Sequence, residues 1–221
     1  MFWRKQNTSS VPAFYLLNTL ERLNDLFVET EEHVTVHSFD AFKLLRGAES
    51  LTESLEVVEI YPWMRRVDFV DGSLVGIQLI SDRMRDVLTD NSVTGWHTYE
   101  VDVRRLSGKS IRGYHGLVIT GRAGPIEWNR RVPVWSKPYF RGGPPVRHLR
   151  GLPLSMEEWD GSDFFLENGK SIHMFISPRL RAILRTARLS NIMIEEPDEF
   201  EHIYVEEIDG KYGLKLYGRG F

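Results

Sequence analysis

Seven histidines and no cysteine restrict metal chemistry in this 221-residue chain to imidazole and carboxylate ligands. His33 and His37 lie four apart, but the Val34-Thr35-Val36 run between them favours a strand. A strand of about 3.3 Å per residue holds such a pair roughly 13 Å apart, too far to share one ion. Only a helix would bring them together, with Glu29, Glu31 and Glu32 as added oxygen ligands, so no metal is assigned. The missing cysteines also exclude disulfides and thiol nucleophiles. A hydrolase triad needs a nucleophile held against a base; no Gly-x-Ser-x-Gly elbow appears, and Ser162 in Asp160-Gly161-Ser162-Asp163 lacks the second glycine and the strand-to-helix setting. Gly121-Arg122-Ala123-Gly124-Pro125 has no Lys-Ser/Thr after it, and its proline interrupts the helix start a phosphate would need. The one remaining enzymatic reading gathers His115, Arg122, Glu127 and His148 around the middle of the chain. No catalytic residue and no cofactor is assigned.

Charge adds two further candidates. Arg181, Arg185 and Arg188, at i, i+4 and i+7, would form a basic helix face opposite Leu180, Ile183, Leu184 and Ala187, and such a stripe can follow a phosphate backbone. No aromatic residue interleaves with it and the chain carries a net −3, so a solvated face, or one paired to the acidic C-terminal strands, is the preferred reading. Arg130-Arg131 and Arg147/Arg150 read as loop charges. Residues 189–221 hold eight acids against Lys211, Lys215 and Arg219, so this stretch carries −5 and the remainder +2. Its densest part is Glu195, Glu196, Asp198, Glu199 and Glu201, broken by Pro197; the plain reading is a solvated turn.

The elements that must position these residues are organised by a repeat. Residues 79–88 (LISDRMRDVL) return 96 positions later as residues 175–184 (FISPRLRAIL), with five identities and apolar matches at Met84/Leu180 and Val87/Ile183. Each copy reads as strand, helix, strand: a β-branched or apolar run, then Ser81 or Ser177 as N-cap, then an apolar stripe. Pro178 suits the first helical position. Thr94-Gly95 stops the first helix, alternation over 96–103 makes a half-buried strand, and 189–195 resumes an extended run in the second copy. Ser107-Gly108 predicts a hairpin into a strand over 111–120.

Residues 121–153 are too rich in glycine and proline for long elements and read as a connector packed down by its aromatic residues. Residues 13–17 could open as a strand or 14–27 as a helix; residues 39–46 predict a helix capped by Ser38 and ended by Gly47, and 55–61 a strand. Residues 202–208 and 211–217 around Asp209-Gly210 predict a terminal hairpin. The expected class is α+β, with mixed or antiparallel sheets around a duplicated strand-helix-strand element. The expected divisions are 1–60, a first half 61–120, the connector 121–153 and a second half 154–221, as one compact unit or two packed halves. No 18-residue apolar run and no signal-peptide pattern occur, so the expected place is the cytoplasm.

The segment Trp159-Asp160-Gly161-Ser162-Asp163-Phe164-Phe165, followed by an apolar strand and a Ser177-led helix, resembles the myxobacterial-type immunity domain of bacterial polymorphic toxin systems, formerly a domain of unknown function. A short Thr/Ser-Asn or Thr-Gly turn follows the helix in that family; Thr94-Gly95 and Ser190-Asn191 stand there. The resemblance covers about residues 60–200. It implies a cytoplasmic protein, without catalysis or cofactor, that binds and neutralises a cognate protein toxin. Separately, the small net charge and the lack of an apolar span give no membrane partner and disfavour nucleic acid, and a homo-oligomer stays open. Beside it, Asp160-Gly161 reads as a turn, Asp163 or Ser162 as acceptors of backbone N–H groups, and Trp159, Phe164 and Phe165 as buried, which is the preferred reading of these residues. A clustered carboxylate surface at 195–201 would also steer and fill the cleft of a basic toxin.

Overall fold

Residues 79–88 and 175–184 fold alike, each running from a strand into a helix whose first turn is closed by serine. The Ser81 hydroxyl accepts the Met84 N–H and the Ser177 hydroxyl accepts the Leu180 N–H, both at 3.1 Å. The protein is seen in a computed structural model that describes residues 14–20, 22, 24–30, 40–48, 51, 54–72, 76–136, 145–169 and 173–203. In chain order the first strands are β1 (Tyr15–Asn18), β2 (Phe27–Thr30), β3 (Leu55–Glu59), β4 (Phe69–Gly72) and β5 (Gln78–Ser81). Then come β6 (Trp96–Tyr99), β7 (Val101–Arg104), β8 (Ser110–Ile111), β9 (Tyr114–Ile119), β10 (Gly121–Ala123) and β11 (Val132–Ser136). The last are β12 (Val146–Arg150), β13 (Phe164–Glu167), β14 (Met174–Ile176), β15 (Met193–Glu195) and β16 (Glu201–Ile203). Three helices occur among the described residues, α1 (Ala41–Leu45), α2 (Asp82–Asp90) and α3 (Pro178–Ala187).

The protein is therefore α+β and mostly strand, in mixed sheets. An eight-stranded sheet ordered β6-β9-β5-β4-β2-β3-β7-β8 curls into a half-barrel, which brings β7 against β9 across its hollow. A five-stranded sheet is ordered β10-β13-β14-β1-β15 and a three-stranded one β11-β12-β16. The strand before each repeated segment pairs with it antiparallel, β4 with β5 and β13 with β14, so the two copies sit in different sheets in the same local setting.

Both helices feed one shared core. Met84 and Leu88 of α2 and Leu180 and Leu184 of α3 are buried with Phe69, Ile80, Leu117, Phe164 and Ile176 between the two large sheets. Opposite side chains of the same strands fill a second cluster in the half-barrel, where α1 contributes Ala41 and Leu44 to Val57, Val70 and Leu79. The outer face of the five-stranded sheet is covered by Ile126, Leu152 and Leu154 over Leu16, Phe165 and Phe175. Cover on both faces explains the unbroken apolar runs Phe164-Phe165-Leu166 and Phe175-Ile176. Burying one such side chain stabilises by about 1.5–3 kcal/mol.

Several sequence expectations are revised. The 96–103 strand is two strands that part at Glu100, because β6 joins β9 while β7 joins β3 and β8. The 111–120 strand is likewise β8 and β9; the hairpin at Gly108, φ +80°, links β7 to β8. Helix α2 ends at Asp90, before Thr94-Gly95, as Ser92 takes φ +50°. The opening segment is the strand β1, and α1 is capped by Asp40, whose carboxylate accepts the Phe42 and Lys43 N–H groups. The described residues of the 121–153 segment hold no strand longer than five residues, as its glycines and prolines predict, and Pro133 is tolerated because β11 lies at an edge of its sheet. Ser38, His33, His37 and the Asp209-Gly210 turn lie outside the described residues.

Candidate functional site

The polar residues of the repeat make a reciprocal pair of clasps. Asp163, at the start of β13, accepts the Ser177 hydroxyl at 2.7 Å and the Thr94 N–H at 3.2 Å, and takes the Arg179 guanidinium. Its own N–H donates to the Thr94 hydroxyl at 3.1 Å. Asp68, just before β4, does the same in reverse: it accepts the Ser81 hydroxyl at 2.8 Å, the Ser190 N–H at 2.7 Å and Arg83 at 3.0 Å, and donates to the Ser190 hydroxyl at 2.8 Å. Each arginine then reaches the far end of the other helix, Arg83 to the Ala187 carbonyl at 2.6 Å and Arg179 to that of Asn91. Each aspartate thus caps the helix of its own half and the post-helix turn of the other. Burial alone would raise the Asp68 pKa, but the Ser190 N–H, the two serine hydroxyls and Arg83 hold it below the ordinary carboxylate value. Asp68 escaped the sequence reading, although Asp68-Phe69 stands before its strand as Asp163-Phe164 does before the other.

The family-like segment forms the wall beside this clasp. Asp160 Oδ1 accepts the Ser162 N–H at 3.0 Å, and Asp160 Oδ2 accepts the Arg122 N–H at 2.8 Å. The tight Asx turn is thus made by Asp160, with Gly161 at φ +83° completing it, while Asp163 accepts the backbone N–H of Thr94 as expected. The Trp159 indole donates to the Ser162 carbonyl at 3.1 Å and packs half-buried against Phe165; Phe164 and Phe165 are fully buried. Gly95 and Gly121 lie so close that a Cβ on either would stand 2.0 Å from the Phe164 carbonyl oxygen. Thr94, Gly95, Thr120, Gly121, Asp160, Gly161 and Ser162 line an open depression of about 420 Å³. The Ser162 hydroxyl donates to Asp160 there, but burial's upward push on that carboxyl is outweighed by its bonds to Ser162 and Arg122, which hold it charged and a poor base. This arrangement joins strands.

The scattered enzyme candidates are not brought together. On β9, His115 Nε2 lies 2.7 Å from the Asp82 carboxylate and 2.8 Å from the Arg85 guanidinium, and the His115–Asp82 hydrogen bond is the main reason the Asp82 carboxyl sits below its usual value. Arg122 belongs to the five-stranded sheet, where its guanidinium serves the carbonyls of Ile119, Gly121 and Arg46; burial and then Arg46 lower its pKa against the pull of Asp160. Glu127 pairs with Arg130, and only the backbone of His148, in β12, is described. The arginine stripe is broken as well. The Arg181 guanidinium lies 4.2 Å from the ring centroid of buried Tyr15, Arg185 is exposed, and Arg188 ends α3 in a left-handed conformation, φ +50°. Arg131 stacks over Trp128 at 4.6 Å and Arg150 pairs with Glu201.

The acidic run divides by position. Glu195, at the end of edge strand β15, accepts the Asn18 amide at 2.7 Å, and Glu201 holds Arg150. Between them Glu196, Asp198 and Glu199 are exposed on a single 3-10 turn over Pro197–Glu199. That turn is fixed from behind: buried Pro197 gives its carbonyl to the Leu152 N–H at 2.9 Å, and Phe200 gives its own to the Gly151 N–H at 2.7 Å. Among the described residues no group of three or more potential metal ligands occurs, and no helix is long and apolar enough to cross a membrane. Compared with known proteins, the chain matches no family model and no curated protein.

Proposed function

We propose that this protein is an immunity protein: it binds a cognate toxin in the cytoplasm and neutralises it by occupying its surface, without chemistry of its own. The strand-helix-strand element is used twice, and the clasps between the copies make a stiff platform for docking. The observation that carries the reading is the rigid turn that presents Glu196, Asp198 and Glu199 to solvent while its backbone is tied down by Gly151 and Leu152. Three carboxylates carried on an already ordered turn steer a basic partner, and the backbone of that turn loses little freedom on contact. The resemblance of residues 159–165 to polymorphic-toxin immunity domains points the same way.

The test is to look immediately upstream of this gene for a large secreted protein with a variable C-terminal domain, co-express that domain with this chain and purify the complex. The triple variant Glu196→Lys, Asp198→Lys, Glu199→Lys should lower affinity at least about tenfold and flatten its dependence on salt, since clustered interfacial charge acts through long-range attraction. Unchanged affinity and salt slope would remove the acidic turn from the interface. Failure of the wild-type protein to rescue growth or to hold any such domain overturns the immunity reading itself.

A further inference from the structure

The net charge of −3 conceals a local excess of the opposite sign. Residues 59–66 and 104–112 hold six cations, Arg65, Arg66, Arg104, Arg105, Lys109 and Arg112, against one carboxylate, Glu59. Strand register gathers both segments at one rim of the half-barrel. Val58 stands beside Arg104 in the parallel β3–β7 pair, Arg105 reaches buried Glu59 at 3.6 Å, and Arg66 donates to the Arg112 carbonyl. Part of the charge is answered: Arg104 by Glu56 and Asp102, Arg65 by buried Asp25, with Asp82 near Arg66. Arg66, Lys109 and Arg112 make no ion pair among the described residues.

An aromatic platform stands on the same rim. Tyr61 and Trp63 are stacked with ring centroids 4.8 Å apart and planes 11° apart, yet they remain 48% and 65% exposed. Their loop is anchored, since the Arg65 N–H donates to the Asn24 carbonyl at 2.7 Å, the Leu26 N–H to that of Arg65 at 2.9 Å, and the Phe27 N–H to the Met64 sulfur at 3.3 Å. Two large aromatic side chains held in water at this exposure contribute little to folding, so their geometry is available to a ligand.

We infer that this rim binds a single strand of nucleic acid, stacking a base on the Tyr61–Trp63 pair and holding phosphates with Arg66, Lys109 and Arg112. Aromatic faces flanked by unpaired cations suit a chain that alternates flat bases with negative charge. A free mononucleotide needs an enclosing pocket, which an open rim does not supply. A duplex keeps its bases stacked inside and presents no face to the rings. The inference is independent of toxin neutralisation, and it uses a different sheet from the acidic turn.

The test is fluorescence anisotropy of a labelled twelve-residue oligothymidylate titrated with the full chain at rising salt. The strand should bind, and Trp63→Ala should weaken binding about tenfold or more while the far-ultraviolet circular dichroism stays unchanged, as expected for loss of one stacking contact. The pair Lys109→Gln, Arg112→Gln should flatten the log–log salt slope by about 1.4, at roughly 0.7 per phosphate contact. Arg185→Gln, on the exposed side of α3, should leave binding as it was. Absence of strand binding overturns the inference. So does equal binding of the matching duplex, transfer of the binding to anionic lipid vesicles in competition, or loss of affinity that follows Arg185→Gln instead of Trp63→Ala.

Discussion

Asp68 and Asp163 are 7% and 6% exposed, and each answers a hydroxyl, a backbone N–H and a guanidinium at once. Removing either carboxylate strands several donors in a place water cannot easily reach, so the cost exceeds that of one hydrogen bond. Asp163→Ala and Asp68→Ala should each lower unfolding stability by about 3 kcal/mol, read from urea titrations. A loss under about 1 kcal/mol at both positions would show that the clasps are solvated and weak. Their arginines, about half exposed, matter less: Arg83→Ala and Arg179→Ala remove one donor to the aspartate and one to the other helix, and leave the serine and backbone bonds standing.

Among the elements, the join between β10, β13 and the Thr94-Gly95 turn depends on the absence of side chains. A Cβ at Gly121 would lie 1.9 Å from the Ser162 hydroxyl and 2.0 Å from the Phe164 carbonyl, whereas one at Gly161 would meet nothing within 4 Å. Gly121→Ala should therefore force the strands apart and cost several kcal/mol, beyond the roughly 1–3 kcal/mol of ordinary overpacking. Gly161→Ala should cost only the roughly 1–2 kcal/mol of a left-handed alanine. Thermal melts of the two variants that fail to separate would contradict this close approach. Much at this scale could be read from the sequence, for local reasons. Ser81 and Ser177 cap helices through bonds three residues away, and Gly108 turns a hairpin between adjacent strands. The role of Asp163 was not legible, because its partner Thr94 lies 69 residues off. The break at Glu100 was hidden too, since alternation records which face is buried but not which neighbour a strand joins. The arginine stripe failed for a similar reason: helical spacing put Arg181 with Arg185, but Tyr15, from the other end of the chain, draws it down.

For the molecule as a whole, acid acts in two stages. His173, edge-on to Phe200 at 5.2 Å, has its pKa pushed down by burial to about 4. Between the unfolded value of 6.5 and about 4 the unfolded chain takes up a proton that the folded one refuses, so stability falls as pH drops through this window. Asp68 and Asp160 act below it. Their folded pKa values lie under 3.8, so the stability they contribute is present above that pH and is lost as pH falls further through the folded values. Melting temperatures taken from pH 7 to pH 3 should decline in both ranges. His173→Phe should flatten the upper one and leave the lower; an unaltered upper slope would mean that the imidazole is solvated.

Strand β1 lies between β14 and β15, with Tyr15 opposite Ile176 and Leu17 opposite Ile194. Its residues leave the ribosome before the other strands of their sheet, since both neighbours lie more than 150 residues further along the chain. Until they emerge, an apolar ribbon with two bare edges stands open to chaperones and to the same ribbon on adjacent nascent chains. A chain that stops before Met193 would leave one of those edges permanently open.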